Sequence, residues 1–109
     1  MKQTLKFEIE LDANNLPLNI EMHASDDAAS EKVIKALMVS AWAAKTKETL
    51  RIDLWTKDMP VNEMFIMYHQ TMMGMAATLE RATGYDKLAS ALRDYCEFFA
   101  EQTEIKGAK

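Results

Sequence analysis

The start of the chain alternates between apolar and polar residues. Every second position from Leu5 to Leu11 is apolar, and the positions between them are charged. The same period of two returns over 18–22, after an Asn- and Pro-containing stretch at 14–17 that is typical of a turn. The pattern predicts a hairpin of two half-buried strands. Its water-facing side is predicted to carry Glu8, Glu10, Asp12 and Glu21.

The spacing of apolar residues changes twice in the middle of the chain. Apolar residues recur at intervals of three and four from Val33 to Trp42, which predicts a first helix that is capped by Ser25 or Ser30. Alternation then returns over 50–55 and predicts a third strand. Because successive side chains of a strand point to opposite faces, Trp55 is expected on the face opposite Leu50, Ile52 and Leu54.

Two long helices are predicted for the rest of the chain, after the third strand. The first begins near Pro60, with Asp58 or Met59 at its cap, and ends at Gly84; the second begins near Asp86. Each has an apolar stripe at helical spacing, and a pair between Arg93 and Glu97 is expected on the outer surface. The first stripe consists of Met64, Tyr68, Thr71, Met75, Thr78 and Ala82, widened by Phe65, Met72 and Leu79. The second consists of Leu88, Leu92, Tyr95, Cys96 and Phe99.

These elements predict one α+β domain over residues 1–109. The order is ββαβαα, and a crossover that skips the first strand gives a three-stranded antiparallel sheet of order 2-1-3. Helices are expected to cover the apolar face of this sheet, which makes a small two-layer domain.

Composition and charge narrow the class of protein. The 109 residues carry a formal charge of −4, which disfavours nucleic acid and anionic membrane surfaces as partners. The N-terminal residues lack the apolar core of a signal peptide, and no apolar run has the length of a membrane span. A lone cysteine, Cys96, suits a reducing compartment. The cytoplasm is the expected location.

Few residues offer catalytic or metal-binding chemistry. His69 with Met72 and Met73 is a candidate cuprous site, but methionine at helical spacing is more often a core residue. Cys96 lies on an apolar stripe and is expected to be buried and inert rather than nucleophilic. The two histidines and one cysteine lack zinc-site spacing, and no glycine-rich phosphate loop is present. We therefore predict no enzyme, no cofactor and no metal.

The density of methionine on the helix after Pro60 is the most unusual feature. Six of the nine methionines fall between Met59 and Met75. A helix that is apolar nearly all round is usually buried, but a flexible methionine surface can also bind partners. Both interpretations stay open. The tentative partner-binding residues are Trp55, Met59, Ile66, His69 and Met73.

Three stretches carry a resemblance to a known protein family: "KFEIELD", "TLRIDLWTKDMPVNEM" and "YHQT". Together they resemble the gliding motility protein GldC family of Bacteroidota, over nearly the whole chain. The resemblance implies a cytoplasmic accessory of the gliding machinery that has no catalytic motif. It also implies that the partners are other gliding proteins near the inner membrane; self-association stays open. The alternative is a small-ligand-binding or enzymatic domain with a pocket near Tyr68 and His69.

Overall fold

The computed structural model describes residues 1–25 and 27–105, with the backbone alone over 27–31. The chain divides into two compact units, Met1–Met59 and Pro60–Lys109. The first unit contains the described strands and the second the described helices. The elements, in chain order, are β1 (Leu5–Leu11), β2 (Pro17–Ala24), β3 (Asp27–Ile34), β4 (Ala36–Ala43), β5 (Glu48–Trp55), α1 (Val61–Thr83) and α2 (Asp86–Thr103).

The first three strands form an antiparallel sheet of order β1-β2-β3. Ile9 pairs with Ile20, and Ile20 pairs with Ile34 on its other side. Ile20 is therefore central on the apolar face, and it is fully buried. Glu8 pairs with Glu21 on the opposite face, where both side chains are partly exposed. The predicted hairpin is confirmed, and Asn15 adopts the left-handed conformation in its turn, with φ of 62°.

The α+β class and a three-stranded antiparallel sheet are confirmed, but the membership of the sheet differs from the prediction. Its third strand is β3, which gives β2 rather than β1 the central position. The strand predicted at 50–55 is β5, which pairs instead with β4 in a separate two-stranded sheet. That the chain is one domain stays a prediction.

The predicted helix from Val33 to Trp42 is wrong, because this stretch forms the end of β3 and most of β4. Leu37 and Val39 share one face of the β4–β5 ribbon with Ile52 and Leu54. Apolar residues such as Trp42 also occupy the other face, so the strand period of two is hidden and intervals of three and four appear. Ser25 caps no helix; its Oγ accepts a hydrogen bond from the Thr4 N–H at 2.8 Å. Ser30 lies in β3, where the backbone alone is described.

A polar corner joins the turn after β1 to the segment after β5. Asp12 Oδ1 accepts hydrogen bonds from the N–H groups of Asn14 and Leu16, at 2.8 and 3.0 Å. Its other oxygen, Oδ2, lies 2.9 Å from Lys57 Nζ. The Lys57 N–H in turn donates to the Pro17 carbonyl at 3.1 Å. Asp12 is thus a turn-capping residue rather than part of the water-facing row that the alternation predicted.

The second unit is an antiparallel pair of helices. Small residues occupy the seam between α1 and α2, where Ala76, Ala89 and Cys96 are fully buried. Aromatic contacts close one end of the seam, with the rings of Phe65 and Phe99 in an edge-to-face contact at 6.0 Å.

Helix ends largely follow the predictions. Gly84 ends α1 in the left-handed conformation, with φ of 71°, and its N–H bonds to the Glu80 carbonyl at 2.8 Å. Pro60 occupies the N-cap position itself, one residue earlier than the first turn in which it was expected. Arg93 pairs with Glu80 of α1 at 2.7 Å rather than with Glu97 of its own helix. Among the described residues, no helix has the length and apolar character to cross a bilayer.

Candidate functional site

The sheet unit contains the first two tentative partner-binding residues, Trp55 and Met59. Trp55 ends β5 on the face that also carries Asp53 and Trp42, and it is 42% exposed. Met59 is half-buried in the turn that follows, where its N–H donates to the Thr56 carbonyl at 3.2 Å. Thr56 fixes this turn through a second bond, from its hydroxyl to Asp58 Oδ1 at 2.7 Å. These two hydrogen bonds hold the turn, and Trp55 immediately before it presents a large aromatic side chain to solvent.

The helical unit contains the other three, Ile66, His69 and Met73. Helical spacing places them on one flank of α1, which we call the mixed flank because it continues into the ion pair between Glu80 and Arg93. Ile66 and His69 are half-buried, whereas Met73 is 39% exposed. His69 Nδ1 is buried and has no hydrogen-bond partner in the described structure.

The opposite flank of the same helix pair has a different chemistry. No Asp, Glu, Lys or Arg occupies its positions on either helix, so we call it the charge-free flank. Four of its large side chains, together with the adjoining Phe98, are 41–56% exposed. They are Tyr68, Met75, Leu88 and Tyr95. These four side chains were predicted to lie on inner stripes, whereas no position was predicted for Phe98.

A shallow groove of about 620 Å³ runs along part of the charge-free flank. Its lining consists of Thr71, Gly74, Met75, Thr78, Leu79, Ala82 and Leu92. This set contains no ionisable side chain and includes neither Tyr68 nor His69. The groove therefore differs from the polar ligand pocket of the alternative hypothesis, which placed the site near those two residues.

One cluster of possible metal ligands lies on the polar face of the three-stranded sheet. His23 Nε2 lies 3.0 Å from Glu8 Oε1 and 3.7 Å from Glu21 Oε1. One ligand atom from each of the three residues falls within 4.8 Å of the others. Contacts between an imidazole and two partly exposed carboxylates on paired strands account for the same geometry. The cluster gives no ground for assigning a metal.

Cys96 lies in the seam between the helices and is fully buried, as predicted. Burial raises the pKa of its thiol, because the charged thiolate would lose its hydration. A raised pKa and an inaccessible sulfur are the opposite of what a nucleophilic cysteine needs.

Comparison with known protein families shows to which family the chain belongs, which the geometry alone does not show. The sequence profile described as "Gliding motility-associated protein GldC-like" matches residues 17–105 of the chain. The chain belongs to the GldC-like family. No curated protein and no solved structure matches it. Family membership associates the protein with gliding motility, and the resemblance seen in the sequence is confirmed.

The GldC-like match covers both units, from β2 through α2 and on to Ile105. Both the Trp55 corner and the two flanks of the helix pair therefore lie inside the family's shared region. Sequence reasoning missed the charge-free flank as a surface, because periodicity identifies which residues form an apolar stripe but not whether another element covers it. The available signal was the absence of charge along that stripe on both helices.

Proposed function

We propose that this member of the GldC-like family is a noncatalytic accessory of the gliding motility machinery that acts by binding other proteins. The observation that carries the proposal is that Trp55 and Met73, side chains of two types that are enriched in protein interfaces, are both exposed to solvent. Trp55 at the sheet corner and Met73 on the mixed flank are the two exposed members of the tentative partner-binding set.

The chemistry of these residues suits protein recognition. A rigid aromatic side chain loses little conformational entropy when it is buried by a partner, and tryptophan is enriched among binding hot spots. Methionine adapts its unbranched side chain to an irregular partner surface. Half-buried Ile66 and His69 border Met73 on the same helical flank, so Met73 is supported on a packed surface rather than on a loop.

The proposal extends to the compartment and to the partners. A single cysteine that is buried and unpaired is compatible with a reducing cytoplasm. The partners are proposed to be other gliding motility proteins, associated with the inner membrane. A formal charge of −4 argues against nucleic acid as a partner.

Two substitutions test the proposal in cells that glide. Trp55→Ala and Met73→Glu should each reduce recovery of gliding proteins by the tagged chain and slow gliding of a complemented deletion strain. Both side chains are exposed, so melting temperature and circular dichroism should change little.

Matched controls are available for both changes. Trp42→Ala removes another exposed tryptophan from the same face of the β4–β5 ribbon, at its other end. Gln70→Glu adds the same charge to an exposed position of α1 without removing an apolar side chain. Both controls should bind and glide like the parent. Folded Trp55→Ala and Met73→Glu proteins that recover partners normally would contradict the proposal.

A further inference from the structure

The most prominent feature of the molecule that the proposed function does not explain is the length of the charge-free flank. Each charged residue of α1 and α2 lies on the mixed flank or on the backs of the helices. The side chains on the charge-free flank are apolar or neutral over the whole of α2, about 27 Å at 1.5 Å per residue. An apolar surface of this length has no charge with which to select a charged partner.

The flank has a ridge at one end and a groove at the other. Aromatic side chains form a ridge near the open end of the hairpin, where Tyr68 and Tyr95 lie 6.5 and 6.3 Å from Phe99, ring centre to ring centre. Phe98 extends the ridge, with its ring 6.0 Å from that of Tyr95. The groove of about 620 Å³ occupies the portion nearer the loop between the helices.

A surface with a ridge at one end and a groove at the other is complementary to itself. A two-fold axis that lies in the interface, perpendicular to the helices, places the ridge of each copy over the groove of the other. The two helix pairs then pack as an antiparallel four-helix bundle. In this arrangement Met75 lies close to the axis, and Tyr68 of one copy lies opposite Thr78 of the second copy.

The exposed area is of the size that a specific dimer needs. Five large side chains that are each about half exposed present roughly 100 Å² apiece, or about 500 Å² per copy. Two copies would bury about 1,000 Å² from these side chains alone, which reaches the lower limit for a specific interface. The small lining residues of the groove add to this area.

We propose that the charge-free flank is a homodimer interface, in which two copies of the chain form a four-helix bundle through α1 and α2. The occupant is a second copy because the surface lacks charge and matches its own relief. This interface is separate from the partner-binding residues of the mixed flank, which face away from it.

Sedimentation velocity of the full chain over about 1–100 µM tests the proposal through a pair of methionines. Wild-type protein should dimerise in this range. Met75→Glu places two like charges near the axis in an apolar interface, so it should weaken dimerisation by tenfold or more. Met73→Glu makes the same chemical change two residues away on the mixed flank, and it should dimerise like the wild type.

A charge-swap pair keeps the test decisive if Met75→Glu disturbs the fold. Tyr68→Glu and Thr78→Lys should each be monomeric alone, and their mixture should form a heterodimer in which the new charges pair. Circular dichroism of each variant verifies the fold. Wild-type protein that stays monomeric at about 100 µM would overturn the proposal. So would dimers that survive Met75→Glu, or that Met73→Glu disrupts equally.

Discussion

The two described glycines of the helical unit should respond in opposite directions to the same substitution. Gly84 ends α1 with φ of 71°, whereas Gly74 lies within the helix. Apart from its chain neighbours and, at Gly74, the nearby backbone of its own helix, an added Cβ would meet no atom within 4 Å at either position. Crowding against other parts of the fold therefore contributes nothing at either site, and the effect of alanine depends on the local backbone conformation.

At Gly84, alanine must adopt a left-handed conformation, which costs about 1–2 kcal/mol for a residue with a Cβ. The lower entropy of the unfolded chain returns about 0.4–1 kcal/mol. Gly84→Ala should therefore destabilise by about 1 kcal/mol, and its melting temperature should fall by about 4–8 °C. Gly74→Ala should stabilise by about 0.5–1 kcal/mol, because glycine inside a helix is unfavourable relative to alanine.

Thermal and urea unfolding of both variants checks the two signs. Gly74 lines the groove of the proposed dimer interface, so the comparison is made in a Met75→Glu background, where association does not contribute. Gly84→Asn serves as a control, since asparagine tolerates the left-handed region and should recover part of the loss. A Gly84→Ala variant as stable as its parent would refute the assignment of a left-handed C-terminus to α1.

Three further predictions concern titration, the buried thiol and metal. The Lys57 ammonium and two backbone N–H groups lower the pKa of Asp12 from 3.8 to about 2. The ionised Asp12 carboxylate therefore stabilises the fold above about pH 4, and this stabilisation is lost as the pH falls toward 2. Lys57→Met should raise the pKa of Asp12, which carboxyl NMR titration measures. Cys96→Ala should cost about 1 kcal/mol without changing gliding, and rapid thiol labelling of the folded protein would contradict the buried position. Protein purified without added metal should carry no stoichiometric copper or zinc, and chelator should leave its melting temperature unchanged; one tightly held equivalent that is lost in His23→Ala would refute this.

Elements with one apolar face were predictable from the sequence, and the element with two was not. β1 and β2 alternate cleanly because Glu8 and Glu21 face water opposite the apolar row. β4 carries apolar residues on both faces, so its pattern fits a strand and a helix about equally well. The stretch forms a strand because β4 bonds to β5 along its whole length. A sequence pattern that is read over β4 alone contains no information about this pairing partner.

The candidate site was predictable in composition but not in exposure. Helical periodicity predicted an inner stripe that contains Tyr68 and Met75, and the structure exposes both side chains. The seam of the helix pair instead runs one step around α1, through Phe65 and Ala76. Small residues at the seam allow close approach, and this rotates the larger side chains out to the flank. Periodicity could not indicate this, because it gives the direction of an apolar face and not the identity of its partner.

The two proposals together predict how the protein engages an array of partners. In the proposed dimer the charge-free flanks face each other, so the two mixed flanks point outward on opposite sides. One dimer then carries two copies of the partner-binding residue Met73. On a surface that displays many copies of a partner, two linked sites raise the apparent affinity by about 10²–10⁴ where the spacing allows both to bind.

Met75→Glu should therefore weaken binding to a dense partner surface while leaving the affinity for a single soluble partner unchanged. Met73→Glu should weaken both, because it alters each site directly. Biosensor binding at high and low partner density separates the two effects. An equal loss at both densities in Met75→Glu would mean that the charge-free flank contacts the partner itself, which is incompatible with its assignment to the dimer.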